Sequence, residues 1–422
     1  MGRYISLLLS LGLLAASASL ADSREQANRI HNRLTGVPAT NSMLDAMTTA
    51  IDSGTDGAVQ AALYAMDGAP GEPASGDFYT VTLKNWATPW TNEAQDGFAP
   101  LNDYSATIIG VVRDEVDFRE ILAGDIIYTG AGAGLVPYSP SDNKHYQQLE
   151  DSGANLGDEQ VLVQGSQSSV SGQSAEAVAG VMTSRAAARA FFVDGTNRAM
   201  FRFTLLNHLC MDLEQLKDTG RPSDRVRQDV SRSPGGDSTL FLNQCVGCHS
   251  GMDPLAQAFA YYDFTYPDED QFPNLSLDER KDMGQLVYSP GQVQPKYLIN
   301  SATFASGYVT PNDHWSNYWR LGDNSARIGW RNAAANSGSV DLVINDAYAE
   351  GDGAASMGWE LANSEAFSWC QVKKVFRNVC LREPMPTAVE ANAVQGFVGT
   401  FNSSHNIKQI FAEVAGYCSS HL

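Results

Sequence analysis

Basic residues are few in this chain: 28 Lys and Arg stand against 48 Asp and Glu, leaving a net charge of −20. Nucleic acid and anionic membranes repel such a surface, so neither is an expected partner. No apolar run after the N-terminus is long enough to cross a bilayer. No Ser/His/Asp arrangement, phosphate-binding Gly loop or internal repeat is evident. The acidic run Asp268-Glu269-Asp270 lacks the Gly-containing loop that calcium favours and reads as a solvated turn. Cysteine is sparse, six residues in all.

The chain opens on one charge, Arg3, then an apolar stretch over 5–16, small residues over 17–21, and the polar Asp22-Ser23-Arg24. That order reads as a secretory signal cleaved after Ser19-Leu20-Ala21, because a core helix would show a polar face. The mature chain is therefore expected in the periplasm or outside the cell. Its length, about 400 residues, is too great for one small core. Four regions are expected: the signal over 1–21, an N-terminal helical region over 22–172, a middle region over 173–353, and a C-terminal helical region over 354–422.

Apolar spacing marks helices over 22–34, 41–51, 57–66, 104–113 and 116–122. Residues 78–86 fit strand or helix, and the Ser/Gln/Gly-rich 152–172 reads as a surface loop and boundary. Thr183-Ser184 can cap a helix over 185–193, and Asn197 opens a longer one through Leu213. Asp237 or Ser238 caps a short helix. Asp253-Pro254 is expected to restart a helix, with Asp as cap and Pro at its first position. Residues 263–353 show little periodicity, with 296–299 a candidate strand; so long a loop-rich segment usually wraps a site or cofactor. Helices return over 360–381, 388–401 and 407–417.

The cysteines divide unevenly. Cys210, Cys370, Cys380 and Cys418 form an even set, which in an exported chain suggests two disulfides. Cys370 and Cys380 fall in one expected helix, about 15 Å apart along its axis, too far to pair with each other. Each therefore seeks Cys210 or Cys418, and Cys210–Cys370 with Cys380–Cys418 is the favoured combination.

The other two lie in Cys245-Val246-Gly247-Cys248-His249, a c-type haem attachment signature. Residues three apart on a helical turn face the same way, so both thiols reach the two vinyl groups of one haem edge. His249 then meets the iron as proximal ligand, and Gly247 lets the backbone lie close to the porphyrin. A redox disulfide gives no reason for the following His. A zinc site needs two further ligands, and no second Cys-x-x-Cys or His pair exists. One covalent haem c is expected. For its sixth position Met252 lies too near His249, while Met283, Met357 and Met385 come later. Met385, between two prolines, is the distal candidate, and His314 is another. Arg225, Arg227 and Arg232 could fork onto haem propionates or pair with Asp224 and Asp229.

The motif's surroundings extend the reading. Cys245 to Leu255 with its Asp253-Pro254-Leu255, Ala258 to Asp263, the helix from Asn197 to Cys210, and Cys370 to Pro384 together resemble planctomycete-type cytochrome c domain proteins, exported monohaem proteins of proteobacteria among them. The likeness covers about half the chain, from Thr183 onward with gaps. It departs at Ala256, where those proteins carry Gly. It implies a mainly α fold: a multi-helix cytochrome c-like core, a long loop-rich insertion and a C-terminal helical unit. It brings no reaction. Single-electron transfer with a redox partner protein is the expected function. A haem oxidoreductase with an open iron site, or a haem-containing envelope binding module, are the alternatives.

Overall fold

Three amphipathic helices begin the described chain: α1 (Ser23–Thr35), α2 (Asn41–Asp52) and α3 (Gly57–Asp67). Each buries one stripe, as Ala27, Ile30, His31 and Leu34 do at helical spacing in α1. Thr40 sets the start of α2 by accepting the Met43 amide. The computed structural model describes residues 23–193, 195–298, 301, 303–331, 342–344 and 349–421, so the signal expected over 1–21 lies outside them.

At the centre runs α4 (Asp103–Arg113), buried on every face. Asn102 and Ser105 close its first turn reciprocally, side chain to backbone in both directions. The carboxylate of Asp103 accepts the Arg185 and Ala186 amides at 2.6 and 3.0 Å, which anchors the start of α5 (Arg185–Phe191). Next come α6 (Arg198–Thr204), α7 (Val246–Ala256), α8 (Gly353–Ala362), α9 (Glu365–Cys380), α10 (Ala388–Ser404) and α11 (Ile407–Ser420). Helix α11 packs on both α3 and α9, joining the two ends of the chain. The protein is mainly helical.

Short antiparallel strands fill the gaps. Strand β1 (Ile127–Gly130) pairs β2 (Leu162–Gly165), and β3 (Tyr262–Thr265) pairs β4 (Gln285–Tyr288). Strand β5 (His314–Ser316) and β6 (Leu342–Ile344) flank β7 (Ala349–Asp352). Helix α4 lies close against β1 because Gly110 has no side chain: a Cβ there would fall 2.0 Å from the Tyr128 ring. One large apolar cluster runs from Ala27 to Cys418.

Several expectations shift. Residues 152–172 hold β2 and a short helix, Gln167–Ser171, because Leu162 is buried by pairing with β1. The helix opened at Asn197 stops at Cys210, whose φ of 55° ends its last, widened turn. Of 116–122 only the residues from Glu120 on are helical, in Glu120–Ala123; of the strand expected over 296–299, Pro295–Tyr297 holds a tight helical turn and residue 299 lies outside the described residues. The helix expected over 360–381 is two, divided at Ser364, which caps α9 by accepting the Phe367 amide.

Both cysteine pairs stand at disulfide distance in the favoured combination. Cys210–Cys370 ties the end of the α6 segment to α9, and Cys380–Cys418 ties α9 to α11, with Cα separations of 5.3 and 5.6 Å. No described helix is long and apolar enough to cross a membrane.

Closing the 38-residue span between Cys380 and Cys418 restricts the unfolded chain, so Cys380→Ala with Cys418→Ala should destabilise the protein by about 4 kcal/mol. Urea unfolding of the oxidised protein measures this; an unchanged midpoint would remove the bridge from the account.

Candidate functional site

The cysteine motif sits where one helical run changes register. Asp237 starts the run by accepting the Thr239 amide at 2.8 Å. The wide turn Phe241–Cys245 then leads directly into α7. Phe241 packs with Val226 and Val230, and Cys245 and Val246 rest against that small cluster. Below it, the Arg232 guanidinium lies between the rings of Phe241 and Phe304, 4.7 and 4.8 Å from their centres. Leu240 and Leu242 stay on the outside, exposed to solvent.

Two glycines set how closely α7 is gripped. At Gly247 a Cβ would come within 2.7 Å of Lys217 and 3.2 Å of Thr219, and the Gly247 carbonyl accepts the Asp218 amide at 3.0 Å. Its smallness therefore serves the close approach of the 213–219 loop. At Gly251 a Cβ would fall 2.0 Å from the Trp319 indole, so the loop-rich segment presses directly on the helix.

Cys245 and Cys248 are both free thiols, each half-buried. Burial and the nearby Glu214 push the Cys248 thiol above its ordinary range, so it stays protonated. His249 follows on the same helix, largely covered, with Nδ1 at 3.1 and 3.2 Å from the two carboxylate oxygens of Asp253 one turn on. Among the described residues Nε2 has no hydrogen-bond partner. A carboxylate on Nδ1 fixes that nitrogen as the donor and leaves the Nε2 lone pair for a metal.

Asp253 is not a helix cap. Helix α7 runs through it and through Pro254, and its carboxylate is wholly buried. The Arg198 guanidinium forks onto it, Nε to Oδ1 at 2.7 Å and NH2 to Oδ2 at 3.0 Å. Arg198 also reaches Asp229 at 2.5 and 2.9 Å. Arg227, fully buried, approaches both carboxylates at 3.8 and 3.9 Å, donates its amide to Asp253 at 3.3 Å, and lies 4.5 Å over the Tyr297 ring. Burial alone would raise the Asp253 carboxyl; Arg198, His249 and Arg227 outweigh it and hold Asp253 well below the usual carboxylate range. Two arginines thus face two aspartates, with the imidazole at the edge.

The other expected residues lie apart or are committed. Arg225 holds Ser316, Gln257 and the His314 carbonyl, each at 2.6 Å. Arg232 donates to the carbonyls of Val230 and Val226 at 2.7 and 3.0 Å. His314 is on β5 with Nδ1 2.9 Å from Asp352. Met252 and Met357 are buried in the core, and Met283 is exposed. Met385 is also exposed, on the α9–α10 connection, its amide held by Glu390. Missed from the sequence were Arg198 and the His249–Asp253 pairing. The four-residue spacing, which stacks two side chains on one helix face, was the signal for the pairing.

Comparison with family models, with curated proteins and with solved structures gives no match. Among the described residues, no group of three or more His, Cys, Asp or Glu side chains could hold a metal ion. The donor set at α7, one imidazole beside two thiols, fits a metal that brings most of its own ligands. Haem iron does so, with four porphyrin nitrogens.

Removing one cation from this buried cluster leaves a carboxylate without its counter-charge. Arg198→Ala should therefore cost about 3–5 kcal/mol, read as a lowered urea midpoint. Loss under 1 kcal/mol would mean that water, not Arg198, satisfies Asp253.

Proposed function

We propose that the chain is an exported monohaem c-type cytochrome that passes single electrons to and from a partner protein. Cys245 and Cys248 carry the haem and His249 is its proximal ligand. The observation that supports this most is the pair of free thiols beside an imidazole whose Nδ1 is held by a carboxylate, in a chain whose four other cysteines pair off.

Each part of α7 has a task in that reading. Cys245 and Cys248, the two free thiols, would hold the haem by one thioether each to its two vinyl groups. Asp253 keeps the Nδ1 proton of His249 and so aims Nε2 at the metal. Arg198 and Arg227 keep Asp253 ionised, and the Trp319–Gly251 contact fixes the helix that bears Cys248 and His249 and directly follows Cys245. Haem bound there supplies a one-electron ferric/ferrous couple. The net charge of −20 suits a basic partner.

The His249–Asp253 contact also favours a second reading, a haem oxidoreductase with an open sixth position. A carboxylate on the far nitrogen makes an imidazole a stronger donor, which lowers the potential and suits chemistry at an open iron. Met385 as sixth ligand would favour electron carriage instead.

The deciding measurement is the spectrum of protein matured in a haem-attaching periplasm, oxidised and reduced, with and without carbon monoxide. Covalent haem with a reduced spectrum that ignores carbon monoxide is the expected result. A shift on adding it moves the oxidoreductase reading ahead. Haem that stays covalently attached in Cys245→Ala with Cys248→Ala would sink both.

Asp253→Asn should raise the midpoint potential, because a less anionic partner stabilises the ferric state less. The change expected is on the order of 50 mV, about 1 kcal/mol for a one-electron couple. A redox titration checks it, and an unmoved or lowered potential would show that Asp253 does not act on the iron through His249.

A further inference from the structure

A second site lies where three segments meet: 85–95, the end of the α6 segment at Leu206, Asn207 and Cys210, and the last turns of α9. They enclose a cavity of about 660 Å³, within the range of small-molecule pockets. Its lining joins the indoles of Trp86 and Trp90 to three cations, Lys373, Lys374 and Arg377, and contains no carboxylate. In a protein of net charge −20, that local composition is the reverse of the whole.

The cations are unequally placed. Lys373 and Arg377 reach outward to share Glu383. Lys374 points the other way. Its Nζ lies 3.7 Å over the Trp90 ring and donates to the Asn207 carbonyl. It has no carboxylate partner among the described residues. Burial, with Arg377 alongside, pushes its ammonium well below the usual lysine range. A half-covered cation held only by a ring face and one carbonyl lacks a counter-charge.

The walls are fixed before any ligand arrives. The Cys210–Cys370 disulfide joins two of them. The Asn207 side chain donates to the Trp90 carbonyl at 3.0 Å and accepts from Gln95 at 3.3 Å, and Gln371 donates to the His208 carbonyl at 3.0 Å. Trp86 and Trp90 meet edge to face, 4.6 Å between centres, and form an apolar wall next to the Lys374 amine, which lies over the Trp90 ring.

We infer that this cavity binds a small organic carboxylate with a flat apolar body, its acid group on Lys374 and its body against Trp86 and Trp90. The carboxylate supplies the missing counter-charge, and Arg377 and Lys373 add attraction at the mouth. The outlying amides of Asn85, Gln95 and Asn378 offer contacts that discriminate among substituents. The site shares no lining residue with α7, so it stands or falls independently of the haem reading.

Benzoate is the probe, with neutral benzamide and inorganic phosphate as comparators, titrated into the full chain by calorimetry and tryptophan fluorescence. Benzoate should bind one to one with a dissociation constant of about 1 mM or tighter, and benzamide and phosphate at least about tenfold more weakly. Lys374→Met should weaken benzoate by about tenfold or more. Arg377→Gln, an exposed position that leaves the core untouched, should weaken it less but measurably. Equal binding of benzoate and benzamide would overturn the assignment, as would benzoate binding unchanged in both variants or absent from the wild-type chain.

Discussion

The buried charge cluster around Asp253 is the constraint on which the middle of this protein depends. Arg198, Arg227, Asp229 and Asp253 come from three separate segments, and none can be buried without the others. An isolated carboxylate in such a place would take up a proton instead of staying charged. Forming the cluster therefore requires α6, the 225–232 loop and α7 to be in position together. Arg227 extends the requirement through Thr196 and Tyr297. His249, at the edge of the cluster, inherits a fixed orientation from groups that are ordered for a structural reason.

A second chain of contacts reaches α7 from the other side. Glu360 on α8 holds Arg320 by a buried two-point pair at 2.7 and 2.9 Å, and Asn317 donates to the same carboxylate at 2.7 Å. Trp315 donates to Ser356 on α8 at 2.7 Å. Those bonds set the position of Trp319, which lies on Gly251. The C-terminal helices thus hold the loop-rich segment, and that segment holds the motif-bearing helix. The disulfides reinforce the same direction of support, since both involve α9.

The local parts of this structure were legible in the sequence for physical reasons. Helices α1 to α3, α10 and α11 bury one face each, so their apolar spacing marks them within a residue or a few. Helix rise along α9 excluded a Cys370–Cys380 pair and left two combinations, of which the favoured one stands at disulfide distance. What was not legible rests on distant partners. Leu162 is a strand residue only because β1 stands beside it. Asp253 before a proline has the pattern of a cap, and Arg198, 55 residues earlier, with Arg227 and His249 makes it a buried anion. The contact of Gly247 with Lys217 likewise depends on a distant segment of chain. The Cys-x-x-Cys-His spacing is local to one turn and visible in the sequence; the carboxylate contact on its histidine is held in place by distant arginines.

The size of the chain bears on what it does. A carrier of single electrons needs one haem and a small wrapping, yet here the motif-bearing helix is held by a network that reaches from α6 to α8 and α9. The apolar leucines beside the motif, Leu240 and Leu242, face solvent, while the cavities of about 810 and 660 Å³ are lined by other residues. A redox group carried on α7 would thus sit at the molecule's edge, open to a partner, with potential small-molecule binding set apart. The α6 segment spans both places: Arg198 at its start grips Asp253, and Asn207 near its end accepts Lys374. Nine residues of helical backbone, about 14 Å, separate them. The anchoring of the Cys-x-x-Cys-His helix and a basic, indole-walled cavity are thus built on opposite ends of one short element, and a chain that holds both needs more residues than either alone.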